Sequence, residues 1–437
     1  MSEYRNQYED FKKNLVGKDA PWISKIRENA FAEFQKIGFP TRKDEAWKYT
    51  NVTPLVERSF PPFVPSSHSF VEQADIDQFT YPGSDFQTLV FVDGEWNNNL
   101  SRVYSLSEGC YIQSLSQAFE DRPDLVKKYW GNSTRLEAHA FTALNSAFVH
   151  DGAFIYVPKN CIVQKPVHLL YITTEKSKEK SLYLKNFIIL EEGGEAEVIE
   201  TYASTHEGAY FHNIVTSMEL HCEAKLDHVR VQHEGIGAFH VNQLDVSLGE
   251  KSNYFSNHIT VGGGLTRSDI YVSFKGEGAA AEINGIFHPR HGEHVDYHVV
   301  VDHVMPRCTS TQLFKGIIED EATGIFNGKI FVREGAQSTN AHQTNRNLLL
   351  SQNAKVYSKP HLEIYADDVK CTHGSSTGQL DAQALFYMRS RGIGEREALK
   401  ILTRAFADEV IQKIKIEKLR EAVEQLVFEE AKTSEGT

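Results

Sequence analysis

The chain has 437 residues, which at roughly 150 residues per domain predicts two or three domains. Hydrophobic residues make up 41% and charged residues 24%, a balance that fits a soluble globular protein and excludes a disordered one. Lys and Arg total 46 against 59 Asp and Glu, and the resulting net charge of −13 argues against generic binding to nucleic-acid phosphates.

The opening residues, MSEYRNQYEDFKKNL, lack both the apolar stretch of a secretory signal and the Arg/Ser character of a transit peptide. A helix is predicted from Pro21, where Ile23, Ile26, Ala30, Phe34 and Ile37 recur at three- and four-residue steps, with Gly38 and Pro40 as its stop. The proline-rich run FPPFVPSSHS at 60–69 reads as a connector. A second helical patch is predicted at about 115–149, including Ala138-His-Ala-Phe-Thr-Ala-Leu-Asn-Ser-Ala-Phe148. From about Ala153 the pattern changes to short apolar or alternating runs such as FIYVP, VHLLYIT, FIILEE and VRVQH, and this predicts an all-β region.

A repeat runs through that region. Glu195-Ala-Glu-Val, Glu223-Ala-Lys-Leu, Glu250-Lys-Ser-Asn and Glu277-Gly-Ala-Ala start at intervals of 28, 27 and 27 residues. A fixed spacing in the twenties suits a β-solenoid of about eight coils, roughly 40 Å long at ~4.8 Å per strand. A β-sandwich with evenly spaced turns fits the repeat equally well. The C-terminal part returns to helix, with Asp381 as N-cap and Gly392 as stop. A further helix is predicted from about Glu395, with Ala398, Ile401, Leu402, Ala405, Phe406, Val410 and Ile414 on one face, and a third through Leu419, Val423 and Leu426. The polar run KTSEGT closes the chain.

Two sets of residues carry candidate chemistry. The run HPRHGEHVDYHVVVDH contains His288, His291, His294, His298 and His303, and imidazole suits zinc, iron and copper. In a strand, however, His294, Asp296, His298 and Asp302 share one face while Val295, Tyr297, Val299 and Val301 fill the other, so a polar outer face is the default reading. Cys371-Thr-His373 is sharper, because in an extended segment both side chains point the same way about 7 Å apart. Thiolate and imidazole ligate zinc and iron–sulfur centres, yet two groups are too few for a complete site. The rest would come from distant parts of the chain or from a second chain; the alternative is a buried thiol beside a hydrogen-bonded histidine.

Other chemistry is missing its motifs. Gly374-Ser-Ser-Thr-Gly378 has no Lys-Ser/Thr behind it, Gly262-Gly-Gly264 reads as a turn, and neither a G-x-S-x-G elbow nor an H-E-x-x-H helix occurs. The five cysteines, Cys110, Cys161, Cys222, Cys308 and Cys371, are far apart, odd in number and without a CxxC pair. Such usage is expected of reduced thiols in a cytoplasmic protein. No apolar run reaches the length of a membrane span.

The run from Lys359 to Asp381, KPHLEIYADDVKCTHGSSTGQLD, continuing through Ala-Leu-Phe-Tyr-Met-Arg-Ser-Arg-Gly-Ile393, resembles the C-terminal signature of the SufB/SufD family. Thr41-Arg-Lys-Asp-Glu-Ala-Trp47-Lys-Tyr49-Thr resembles its N-terminal motif. Leu144-Asn-Ser-Ala-Phe148 with Asp151-Gly and Tyr156-Val-Pro158 resembles the lead-in to its β core. Gln312-Leu-Phe-Lys-Gly316, Ala336-Gln-Ser-Thr and Leu348-Leu-Leu-Ser351 are similar to its later coils. His373-Gly and Gly378-Gln-Leu-Asp381 favour the SufD branch, and the first 109 residues lack the cysteine motif common in the SufB branch.

The resemblance implies a mainly β fold, a right-handed parallel β-helix flanked by N- and C-terminal α-helical regions. It places a mostly helical region with linker at 1–150, the β-helix at 151–366 and a C-terminal helical domain at 367–437. It further implies a non-enzymatic scaffold subunit of the SUF iron–sulfur assembly complex, without an ATP site of its own. Such a subunit pairs with SufB through the β-helix, holds a transient cluster or iron between the two chains, and docks the ATPase SufC. His373 is the implied iron-binding residue at the SufB interface, with Cys371 beside it. Leu385, Phe386, Tyr387, Arg389, Arg391 and Gly392 are the implied ATPase-docking residues. Pairing of two copies is expected when the chain is isolated. Two alternatives remain at this point: a SufB-like chain that accepts sulfur itself, and a stand-alone histidine-rich metal-binding solenoid.

Overall fold

The computed structural model describes residues 2–14, 20–64, 71–81, 83–130 and 140–428. The second half of the proline-rich connector, from residue 65, Ala138 and His139, and the closing polar run lie outside the described residues. In chain order the N-terminal part contains α1 (Ser2–Phe11), α2 (Pro21–Ile37), α3 (Thr53–Arg58), α4 (Gln73–Ile76), β1 (Gln87–Val92), β2 (Glu95–Trp96), β3 (Tyr111–Ser114), α5 (Leu115–Asp121), α6 (Pro123–Trp130) and α7 (Ala140–Phe148). Helix α2 begins and ends where the sequence pattern predicts. Pro21 sits in its first turn, and Gly38, at φ 70°, returns its N–H to Phe34 O at 2.8 Å. The second helical patch is broken by Pro123, and all nine residues of α7 are buried. Strands β1 to β3 were not expected in this part of the chain.

The solenoid strands follow: β4 (Ala153–Val157), β5 (Val167–Thr173), β6 (Ser181–Leu190), β7 (Glu195–Ser204), β8 (Tyr210–Leu220), β9 (Lys225–Glu234), β10 (Ala238–Leu248), β11 (Asn253–Gly262), β12 (Leu265–Phe274), β13 (Ala280–His288), β14 (His294–His303), β15 (Thr309–Ile318), β16 (Thr323–Val332), β17 (Thr339–Leu349), β18 (Lys355–Ile364) and β19 (Val369–Gly378). Successive strands alternate between two sheets, and each pairs in parallel with the strand two further along, giving a parallel β-solenoid of about eight turns. The solenoid reading of the repeat therefore holds, and the sandwich does not. Its last strand, Val369–Gly378, lies beyond residue 366.

The glutamate repeat marks a corner. The stacked register Glu195, Lys225, Asn253, Ala280, Thr309 sets the coil length at 27 to 30 residues. Just before these strands, Gly193, Glu223, Lys251, Gly278, Arg307 and Ser338 all adopt left-handed backbone, with φ between 52° and 68°. Each donates its N–H one coil along: Glu223 to Glu250 O at 2.8 Å, Lys251 to Glu277 O at 2.9 Å, Arg307 to Gln337 O at 2.9 Å. A left-handed residue that is not glycine costs roughly 1–2 kcal/mol. The ladder of hydrogen bonds along the corner offsets that cost and keeps the coils in step.

Inside, alternate residues of both sheets build one continuous apolar core, with rings in successive coils stacked at the strand spacing. Phe91 and Tyr171, then Tyr171 and Tyr202, lie 4.8 Å apart. The outer face of the nine-stranded sheet presents Tyr183, Phe211 and Val241 to Phe31, Phe34, Phe141 and Phe148 of the N-terminal helices. The outer face of the ten-stranded sheet is covered by the C-terminal helices α9 (Glu395–Ile411) and α10 (Glu417–Phe428), which follow α8 (Ala382–Ser390). The amphipathic stripes of α9 and α10 therefore bury themselves on the side of the solenoid. The buried face of α9 runs through Thr403, Ala407, Val410 and Ile411, while Ile401, expected on it, is 40% exposed.

Candidate cluster site and docking surfaces

The two last strands form the open end of the solenoid. Within β19 the parity of the core is kept: Ala341 pairs with Cys371, Gln343 with His373, and Asn345 with Ser375, so Cys371 and His373 both sit on the inward-facing side. Among the described residues no further coil covers them. Cys371 is half-buried and His373 is exposed. Ser358 of β18 ties the two sheets together here, with its hydroxyl 2.7 Å from Ser375 Oγ and 2.6 Å from Asn345 Oδ1. Burial pushes the Cys371 thiol up, only partly offset by a backbone hydrogen bond involving Ala341. A raised thiol is a poor spontaneous nucleophile. The geometry thus offers a thiol and an imidazole on one face of an edge strand, a partial ligand set open to a second chain.

Helix α8 leads away from this end. Asp381 caps it, accepting from Gln383 N at 2.9 Å, and not one of its residues is buried. Phe386 is 74% and Tyr387 58% exposed, while Leu385 is half-buried. Arg391 folds back on Tyr387, 2.9 Å from its hydroxyl and over its ring, Arg389 pairs with Glu395 at 3.1 Å, and Gly392 turns the chain at φ 87°. The expected docking residues are therefore gathered on one exposed helix and turn. Ile401 and Leu399 of α9 add exposed apolar surface close to them in the chain.

The five histidines of the rich run do not converge. His288 lies 3.0 Å from Val427 O and 3.1 Å from Glu319, pinning the end of α10. His291 stands in a corner beside Asp320 at 3.0 Å. His303 points inward to Ser310 and stacks on Phe274 at 4.3 Å. His294 and His298 flank Asp296 on the outer face, as the alternation predicts, but that face is not solvated. His294 Nε2 lies 2.9 Å from the Thr50 hydroxyl, which also contacts Asp296, and His298 Nε2 is 3.2 Å from Asp296. Arg267 bridges Asp296 at 2.7 Å and Ala46 O at 2.8 Å beneath the ring of Trp47. His294, Asp296 and Arg267 tie this face to the 41–50 segment, and among the described residues no three ligand atoms of this run gather as a metal-binding group.

A group that the sequence reading missed lies in the core. His212 Nδ1 is 2.8 Å and His240 Nδ1 2.7 Å from the two oxygens of Glu234, all three buried. Tyr210 and Gln232 also donate to this carboxylate, both at 2.9 Å, and the Arg230 guanidinium contacts His240 Nε2. Burial lowers His240 to about 4, so the ring is neutral. Two histidines and a carboxylate are a metal-ligand set by type. With both Glu234 oxygens already accepting hydrogen bonds and a guanidinium in contact with His240, the arrangement here is a buried hydrogen-bond network. In β9 the polar residues share the inward parity of Leu226, and Val229 and Val231 point out beneath the C-terminal helices.

Residues 171–406 match the family described as SUF system FeS cluster assembly, SufBD core domain, and residues 1–169 match the SufBD protein N-terminal region. The chain belongs to the SufBD family. It is 32% identical over 391 residues to the iron-sulfur cluster assembly protein SufD of Escherichia coli, covering 89% of this chain and 88% of that one. The SufD of Bacillus subtilis is 26% identical with 94% of each chain covered. A SufBD family protein of Synechocystis is 28% identical, covering 92% of this chain and 89% of that one. The SufBD core match spans the candidate cluster site at Cys371 and His373 and the exposed helix α8.

Proposed function

We propose that this chain is a non-catalytic scaffold subunit of a cytoplasmic SUF complex, which pairs with SufB at the open end of the solenoid and docks the ATPase SufC through α8. The observation that carries the reading is the pair Cys371 and His373, set on the inward side of an edge strand with no described strand stacked above it. Strands β18 and β19 each leave one edge unpaired, and such edges pair with another chain unless protected. A SufB-type partner would extend both sheets and close over His373, and two copies of this chain would pair there when isolated. The nascent cluster, or its iron, is cargo held between the chains. His373 serves as a ligand and Cys371 as its neighbour, completed by groups of the partner.

The test is iron and acid-labile sulfide per complex after anaerobic assembly with SufB and SufC. His373→Ala is expected to lose the cluster while gel filtration shows an intact complex and the unfolding midpoint is unchanged, since the ring is exposed. Retained iron and sulfide would reduce His373 to a surface residue and end this reading. The SufB-like alternative is disfavoured by the raised Cys371 thiol. Persulfide accumulating on Cys371 beside a cysteine desulfurase would revive it.

A further inference from the structure

One column of inward side chains runs along the ten-stranded sheet as Gln312, Gln343 and His373, one residue per coil. Gln343 Nε2 donates to Gln312 Oε1 at 3.1 Å, and both side chains are only 1% exposed. That bond leaves Gln343 Oε1 buried and without a partner. A buried amide oxygen without a partner is destabilising, because it has lost its hydration and gained no hydrogen bond in return. In a stacked amide ladder, an N–H spent on one neighbour turns the carbonyl toward the other, and the next position in register is His373. The opposite sheet makes room for this amide: a Cβ on Gly328 would come 2.4 Å from Gln343 Nε2. Among the described residues His373 has no hydrogen-bond partner of its own.

We propose that Gln343 is a positioning residue for His373, accepting one ring N–H at Oε1 and leaving the other ring nitrogen with its lone pair toward the open end of the solenoid. The inference rests on the reading of His373 as a cluster ligand. A metal-binding histidine characteristically donates its second ring N–H to a carbonyl or carboxylate, which fixes its tautomer and orientation. Here that acceptor comes from inside the β-solenoid, one coil below the site.

Histidine-ring 15N NMR on the full chain reads the proposal directly, with the His373 signals identified by their loss in His373→Ala. A single tautomer is expected in the wild type, an average of two in Gln343→Met, which keeps length without an acceptor, and a single one again in Gln343→Glu. An averaged ring in the wild type, or an unchanged ring in Gln343→Met, overturns it. Iron(II) binding to the complex with SufB and SufC is the second readout, with an expected loss of roughly tenfold in affinity for Gln343→Met and recovery in Gln343→Glu. Iron lost in His373→Ala but kept in Gln343→Met sinks the positioning role alone. Iron kept in His373→Ala sinks the ligand reading, and the ring signals still decide the hydrogen bond. Matching unfolding midpoints of Gln343→Met and wild type confirm that the coil is intact.

Discussion

Asp296 gathers the outer histidines, Arg267 and the 41–50 segment into one buried ion cluster. Burial opposes its ionisation, but Arg267 and His298 outweigh that and hold the carboxyl well below the usual range. Burial works against the Arg267 charge too, and Asp269 and Asp296 more than compensate. Removing one partner of such a pair strands the other charge. Asp296→Ala is therefore expected to cost about 3–5 kcal/mol in urea unfolding. A loss below about 1 kcal/mol would show that Arg267 finds sufficient pairing in Asp269 alone. The alternation of β14 was legible in its sequence, since valines and a tyrosine separate the charged positions. That its polar face lies under Thr50 and Trp47 was not, because those residues are some 250 positions away in the chain.

At the scale of the element, the corner ladder explains why the repeat is visible in glutamates. Corner positions are exposed and short of apolar residues, so their spacing stands out while strand boundaries blur. Glu223, at φ 57°, tests the stack. Glu223→Ile should cost about 1–2 kcal/mol, because a β-branched side chain resists left-handed backbone. Glu223→Gly should stay within about 0.5 kcal/mol of wild type in the same denaturation assay. Equal losses for both would locate the stabilisation in the Glu223 side chain instead. Helix α8 was read correctly from its cap and its glycine stop, and none of its residues is buried. With docking at α8, Phe386→Asp is expected to weaken SufC binding at least tenfold by calorimetry with an unchanged unfolding midpoint, since the ring is 74% exposed. Unaltered affinity would move the docking surface elsewhere.

Across the whole molecule, burial of histidines, inside the solenoid and beneath the N-terminal part that covers it, has a consequence for pH. His150, His240 and His303 are lowered to about 4 and His168 to about 3, in each case first by burial. These rings are neutral in the fold and take up protons near pH 6.5 when unfolded. The unfolded state therefore binds more protons below that value. The stability they contribute is complete above about pH 6.5 and declines as pH falls toward about 4, by up to about 1.4 kcal/mol per pH unit for each ring. Chemical denaturation at pH 7, 6 and 5 should show the midpoint dropping steadily. A flat midpoint would mean that the core histidines are hydrated or charged in the fold.

The sequence by itself determined the solenoid's period, the ends of α2 and α8, and the alternation that puts Cys371 and His373 on one side of a strand. Each of these follows from local backbone preference or two-residue alternation, which act within a few positions. Only the tertiary structure decided which faces are wet. Val229 and Val231 point outward because helices nearly two hundred residues later cover them, while Glu234 lies inside because His212 and Tyr210 of the preceding coil meet it there. Burial depends on contacts distant in the chain, and for the same reason the open end at His373 becomes visible only once the coils are stacked.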